Sequence, residues 1–311
     1  AQGNEKLALS VANTISKEAE RAGVSTLQVG ALKLLAKVKP NKVRKQLLKG
    51  ATSPNALYRA ASLDLLANRN DASDTKKLIK SLAKASPEVQ ESILYYLGEE
   101  AKENDIPAIS KTVQKISDTK SKIAGLNTLS ALSNGSNADE LITALSSADA
   151  DTKKAIISLL LTSKDKSTID VVCAALPTAD TPTQLALLEV LSKRTNNNAS
   201  KVTLPLIQSE DAAVKSAALK ALPNVVVEDD FDAVVKMLAN ANEQEAPALQ
   251  LSLVQILSGS TNKDEQIQKL ATNISRSSAS SVANYFPVFA GVGTDESLTA
   301  VKNYLSNETL K

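Results

Sequence analysis

The sequence predicts an all-α fold, a stack of about nine helix pairs behind an N-terminal capping helix, and three observations carry that expectation. The first is a recurrence. Ser53-Pro54 opens SPNALYRAA and Ser86-Pro87 opens SPEVQESIL, 33 residues apart, and Thr181-Pro182 opens TPTQLALLEVL in the same manner. A side-chain oxygen at the N-cap followed by proline at the first helical position marks a helix start, because proline has no N–H to leave unsatisfied there. The second is composition: 43% of the chain is apolar but only 3% aromatic, with no tryptophan, so Leu, Ile, Val and Ala must fill the core. Ten glycines and ten prolines in 311 residues are also fewer turn formers than a strand-rich fold would use. The third is apolar spacing at the helical period along most of the chain.

In chain order, residues 1–21 supply the cap. Within NEKLALSVANTISKEAE, Leu7, Val11 and Ile15 form one apolar stripe with polar residues opposite, suited to closing the first pair. Polar-to-apolar switches then place pair starts near 24, 54, 87, 118, 150, 181, 211, 244 and 277, across a single domain of residues 1–311. The period is about 31 residues. First helices carry runs such as Leu57, Ala60, Ala61 and Leu65, or Val89, Ile93 and Leu97. Shorter second helices carry Leu78, Ile79 and Leu82, or Ile106, Ile109 and Val113, and the last of them Leu298, Val301 and Leu305. Ser133-Asn134-Gly135-Ser136 and Ser258-Gly259-Ser260 supply turns. Asp74, Asp105, Asp139, Asp232, Asp264 and Asp295 fall near the start of a second helix, where the helix dipole favours an anion. The acidic cluster from Glu228 to Asp232 reads the same way, since the D-x-D-x-D-G spacing and distal glutamate of a calcium loop are missing.

Several function classes drop out. No run approaches 18 apolar residues, so no membrane span is expected. The opening AQGNEK, without methionine, fits a trimmed chain or a mature protein that has lost a leader. An extracytoplasmic location, periplasmic or secreted, is the expectation, with a cytoplasmic one left open. Cys173 lies among apolar neighbours in IDVVCAALP and reads as a buried, inert thiol. Histidine is absent, which removes Ser-His-Asp and Cys-His catalysis and every His-containing zinc site. No cofactor or metal site is marked. Gly291-Val292-Gly293-Thr294 has no strand before it and reads as a turn, not a phosphate cradle. Sequons start at Asn198, Asn273 and Asn307 and matter only in a glycosylating host.

Paired amphipathic helices of this length, rich in Leu and Ala, resemble the short HEAT-like branch of the armadillo/HEAT α-solenoids over roughly residues 22 to 307. Tetratricopeptides want tryptophan, and ankyrins want a T-P-L-H histidine that this chain lacks. The resemblance implies a right-handed α-α superhelix with first helices on the convex side and second helices on the concave side. It implies a non-catalytic scaffold that binds another protein or a fused domain, including the repeat portion of a larger secreted protein. The alternative it brings is an enzyme of lyase or DNA-glycosylase type acting through a basic groove. Tyr58, Tyr95 and Tyr96 fall on first helices, the wrong side for such a groove. The family often repeats an arginine or lysine in the second helix; with only six arginines here, a regular Asp–Arg ladder is not expected.

Charge placement supplies the candidate site. Residues 1–53 hold ten basic and three acidic residues, a net of +7, whereas 54–311 hold 26 and 31, a net of −5. In three successive second helices a core residue is flanked at minus two and plus two by lysine: Lys45 and Lys49 about Leu47, Lys80 and Lys84 about Leu82, Lys111 and Lys115 about Val113. Two residues along a helix turn the chain by about 200°, so each pair points away from its core residue. At the same positions about Leu145 stand Thr143 and Ser147, and the rows stop. The bland reading is solvated helix surface; the sharper one is a dock for an acidic protein segment or an acidic glycan, ahead of nucleic acid, because interleaved aromatics and arginine are lacking. A second candidate is aromatic. Tyr285, Phe286 and Phe289, with Tyr304, place four of the chain's eight aromatics in its last 27 residues. They read either as the core of the last pair or as a docking surface for another domain or copy.

Overall fold

The computed structural model describes residues 4–69, 71–194, 199–274 and 279–306, and among them every regular element is a helix. The first helix, α1 (Glu5–Ala22), precedes the pairs α2 (Ser25–Val38) with α3 (Pro40–Gly50) and α4 (Ala56–Ala67) with α5 (Ala72–Leu82). Next come α6 (Pro87–Glu100) with α7 (Ile106–Val113), α8 (Thr119–Leu132) with α9 (Ala138–Leu145), and α10 (Ala150–Thr162) with α11 (Thr168–Ala175). Then follow α12 (Thr181–Leu191) with the short α13 (Ser200–Thr203), α14 (Ala212–Ala221) with α15 (Phe231–Ala239), and α16 (Ala246–Gly259) with α17 (Lys263–Ile274). Last are α18 (Ala279–Val282), α19 (Phe286–Val292) and α20 (Asp295–Ser306). Two compact units divide the chain: residues 1–159 with 163–165, and residues 160–162 with 166–311.

Helix starts follow side-chain caps more than Ser-Pro pairs. Pro87 does open α6, with Ser86 at the N-cap. At Ser53-Pro54, however, the helix begins two residues later: Asn55 is the cap, its side chain accepting from the Tyr58 N–H, while Ser53 Oγ accepts from the Asn55 N–H. At Thr181-Pro182 the cap is Asp180, which accepts from the Thr183 N–H. An aspartate or asparagine oxygen satisfies an N-terminal donor at least as well as serine, and proline is tolerated anywhere in the first turn. Asp118, Asp149 and Asp211 cap α8, α10 and α14 in the same way.

In the first unit α1 packs on α2, and α2, α4, α6 and α8 pack each on the next. The second helices α3, α5 and α7 each lie against the first helix of the following pair. Leu32, Leu47, Leu66, Leu82, Ile93 and Leu97 are fully buried between them, each contributing about 1.5–3 kcal/mol of burial. Glycine sets the closest approaches: a Cβ on Gly50 would strike Ser62 Oγ, and one on Gly125 would stand 2.7 Å from both Val113 methyls.

Polar ties reinforce this order at a spacing of one pair. Arg59, 6% exposed, donates from α4 to Ser92 Oγ on α6 at 2.9 Å and to the Ser53 carbonyl at 2.7 Å. Thr128 Oγ1 donates to the Leu94 carbonyl and Ser121 Oγ to the Pro87 carbonyl, both 34 residues back. Asp74, fully buried at the start of α5, takes a hydrogen bond from Arg44 Nε on α3 and lies 3.5 Å from Arg69 Nε. This is one Asp–Arg rung between adjacent pairs.

Three expected apolar faces are turned. On α4 the buried residues are Arg59, Ser62, Leu63 and Leu66, while Leu57 is 49% exposed and Ala60 is exposed. The anchoring of Arg59 and the fit of Ser62 against Gly50 fix that rotation. On α1 the buried side is Ala8, Ala12 and Ala19, which lets the helix approach α2 closely; Leu7, Val11 and Ile15 face outward. On α20 the buried side is Ser297 and Ala300, and Leu298 and Leu305 face outward.

In the second unit α12 packs on α14, α15 on α16, α16 on α19, and α17 on α20. Leu176-Pro177, Leu204-Pro205 and Leu222-Pro223 each convert the end of a helix into a 3₁₀ turn. Proline cannot donate the α-helical hydrogen bond and crowds the preceding turn. The second helix of the sixth pair is thereby reduced to four α-helical residues and a 3₁₀ segment. Arg194 donates to the Leu160 carbonyl, Asn224 to the Ser192 carbonyl and Gln250 to the Asn284 carbonyl, again 32 to 34 residues apart. Of the sequons, Asn198 and Asn307 lie outside the described residues, as does the ninth start near 277; Asn273 lies within α17.

Two outcomes follow. Gly125→Ala should lower stability by about 1–3 kcal/mol through overpacking against Val113. Gly98→Ala, whose Cβ would meet only a Thr128 methyl at 3.9 Å, should raise it by about 0.5–1 kcal/mol; urea denaturation of the two variants should move in opposite directions. The second concerns acid. The Ser121 N–H holds the Asp118 carboxyl below the ordinary range, and hydrogen bonds from Thr119 and the Thr152 N–H do the same for Asp149. A carboxyl whose folded pKa is depressed stabilises above its unfolded value of about 3.9 and loses that contribution as pH falls through the folded value. Melting temperature should therefore fall as the pH is taken below about 4, and Asp149→Asn, which keeps the capping oxygen but does not titrate, should flatten that slope.

Candidate binding surfaces

Each lysine of the two rows lies on or just after its second helix with its core residue turned inward. Leu47 and Leu82 are fully buried and Val113 is 1% exposed, while Lys45, Lys49, Lys80, Lys84, Lys111 and Lys115 are all exposed. Because α3 packs beside α5 and α5 beside α7, the three pairs of ammonium groups stand on neighbouring helices. None of the six forms an ion pair among the described residues. Both acidic residues at the start of α5, the N-cap Asp71 and the buried Asp74, are engaged by Arg44. Lys80 and Lys84 share an open groove of about 510 Å³ with Thr52, Pro54, Ser86 and Val89, between the turns that follow α3 and α5. Lys45, Lys49, Lys111 and Lys115 lie outside that groove.

The aromatic group at the other end has a different surrounding. Tyr285 is fully buried, Phe289 is 2% exposed, and Phe286 is half-buried with its ring edge-on to Tyr304 at 5.4 Å. Pro287 sits in the first turn of α19, which starts anew after α18 instead of continuing it. Tyr285 and Phe289 thus spend their apolar area on the interior of the last repeat, and Phe286 offers only part of one ring. Gly293 ends α19 in the left-handed conformation at φ 65°, its N–H donating to the Phe289 carbonyl. The Gly291 to Thr294 segment is a helix cap and a turn.

The acidic and thiol groups read as structural. Asp230 accepts from the Val227 N–H at 2.8 Å, and Glu228 accepts from Ser260 Oγ. No group of three or more metal-ligating side chains stands together among the described residues. Burial pushes the Cys173 thiol upward, with Asp170 adding to the shift. No helix among the described residues is long and apolar enough to cross a membrane.

The sequence places Tyr95 and Tyr96 on a first helix, the wrong side for a groove on the second helices, and the structure places a further groove there. Between α4 and α6 an open cleft of about 580 Å³ has Ala60, Leu63 and Ala67 along one wall and Tyr95 and Tyr96 along the other. Tyr96 is buried, while Tyr95 is 76% exposed. The signal was present, since Glu91, Tyr95 and Glu99 recur every four residues on one face of α6. It was hidden by assigning Leu57, Ala60 and Leu65 to the core side of α4.

No family model matches the chain, and no curated protein matches it. Among solved structures it is similar to a crystal structure of an engineered protein from the Northeast Structural Genomics Consortium, at 16% identity and a TM-score of 0.40, over 98% of this chain and 92% of that one. A second engineered protein of the same consortium is similar at 16% identity and a TM-score of 0.31, over 81% of this chain and 96% of that one.

Proposed function

We propose that the chain is a non-catalytic binding module of HEAT-like repeats, whose lysine rows on α3, α5 and α7 hold an anionic partner. The observation that carries this reading is the set of six exposed ammonium groups on three adjacent second helices, none ion-paired among the described residues. Lysines left without intramolecular carboxylates keep their field available to a ligand and raise its association rate. Their compact charges on flexible stems suit carboxylates or sulfates spread along a chain, such as an acidic protein segment or an acidic glycan. Nucleic acid is the weaker match, because the aromatics needed to stack bases are not among these lysines.

The test is titration of a fluorescent deca-glutamate peptide and of a sulfated oligosaccharide against the chain and its Lys45→Glu, Lys80→Glu, Lys111→Glu triple variant. The variant should bind at least one of these probes about tenfold more weakly, and the parent should lose affinity to a similar degree when salt is raised. Its melting temperature should stay close to the parent's, since all three positions are exposed. Equal binding by parent and variant would return the six lysines to the role of solvent-facing cover.

A further inference from the structure

We infer that the cleft between α4 and α6 binds a short arginine-containing segment of another protein, in extended conformation, with a guanidinium lying on the ring of Tyr95. This inference does not depend on the lysine rows, which stand on other helices and carry the opposite charge. Every charged residue that lines the cleft is acidic: Asp64 on α4, and Glu91, Glu99 and Glu100 on α6. None of the four forms an ion pair among the described residues, and none is taken up in capping a helix.

That separates them from Glu88, Asp118 and Asp149 of a neighbouring depression at the starts of α6, α8 and α10, which Glu91 and Lys120 also line. There Asp118 and Asp149 accept N–H groups of their own helices, and Glu88 is held low by its own N–H and by Ser86. Their charge is already in use. The four carboxylates of the cleft surround apolar surface instead, and Tyr95 stands in the middle of them with 76% of its surface open to solvent.

A cation over a tyrosine face is attracted by the ring's negative quadrupole, arginine more often than lysine. Glu91 and Glu99 are one turn before and one turn after Tyr95 on the same face of α6, about 6 Å to either side. A guanidinium on the ring therefore has a carboxylate within reach at each end for its forked donors. Alternate residues of an extended chain point the same way and repeat about every 7 Å, near the rise of about 6 Å between residues four apart on the helix below. A basic residue at every second position thus meets successive turns of α6. The methylene stems of those side chains would cover Ala60, Leu63 and Ala67, and Asp64 closes the cleft from the α4 side.

The probe is a fluorescein-labelled peptide of alternating arginine and serine, blocked at both ends, measured by anisotropy against the whole chain. Saturable one-to-one binding is expected, weakened about tenfold or more by Tyr95→Ala and by the Glu91→Gln, Glu99→Gln double variant, and retained by Tyr95→Phe. Tyr95, Glu91 and Glu99 are exposed, so circular dichroism of these variants should match the parent. Absence of saturable binding up to about 1 mM peptide, or binding that is equal in the parent, Tyr95→Ala and the double variant, would overturn the inference.

Discussion

Within each of the two units the helices bury their apolar faces against neighbouring pairs, and the architecture of each unit depends on that cover. The hydrogen bonds show the register of that dependence. Arg59 to Ser92, Thr128 to Leu94, Arg194 to Leu160 and Gln250 to Asn284 all span 33 or 34 residues. Apolar burial is non-directional and would tolerate sliding of one helix along another. A side-chain donor fixed to a particular acceptor does not, and where the donor is buried, as at Arg59 and Thr128, losing that partner leaves a desolvated polar group. Leucine and isoleucine hold the pairs together, and serine, threonine and arginine set where along each helix they meet.

Much of this was legible in the sequence because period is a robust signal. Val89, Ile93 and Leu97, or Leu78, Ile79 and Leu82, sit at helical spacing and are buried as that spacing implies. What failed was the choice of face where small residues compete with large ones. On α1 and α20 a hydrophobicity pattern selects Leu7, Val11, Ile15, Leu298 and Leu305, yet the helices turn alanine and serine inward. Close helix packing rewards small side chains at the contact, and a count of apolar residues does not see that. On α4 the inward residue at the decisive position is Arg59, which no hydrophobic periodicity would place inside.

The same distinction governs the candidate sites. The lysine rows could be read from sequence because they need only the rotation of a helix, two residues either side of a buried leucine or valine. The cleft beside Tyr95 is legible only in half, through the Glu91, Tyr95 and Glu99 spacing on α6, because its other wall depends on the rotation of α4 relative to α6, and thus on where the Arg59 guanidinium finds its acceptors. Tyr285 and Phe289 show the converse: a local concentration of aromatics says nothing about which side of the helix they take.

The placement of charge in the first unit has an electrical consequence. The lysine rows stand on or just after α3, α5 and α7 and the carboxylates of the cleft on α4 and α6, so a chain of formal net charge only +2 carries two local surfaces of opposite sign on different helices of its first unit. With no histidine anywhere in the chain, no side chain of ordinary pKa changes its charge between about pH 5.5 and 8. The charge on both surfaces is therefore constant over that range, and its reach is set by the ionic strength of the medium.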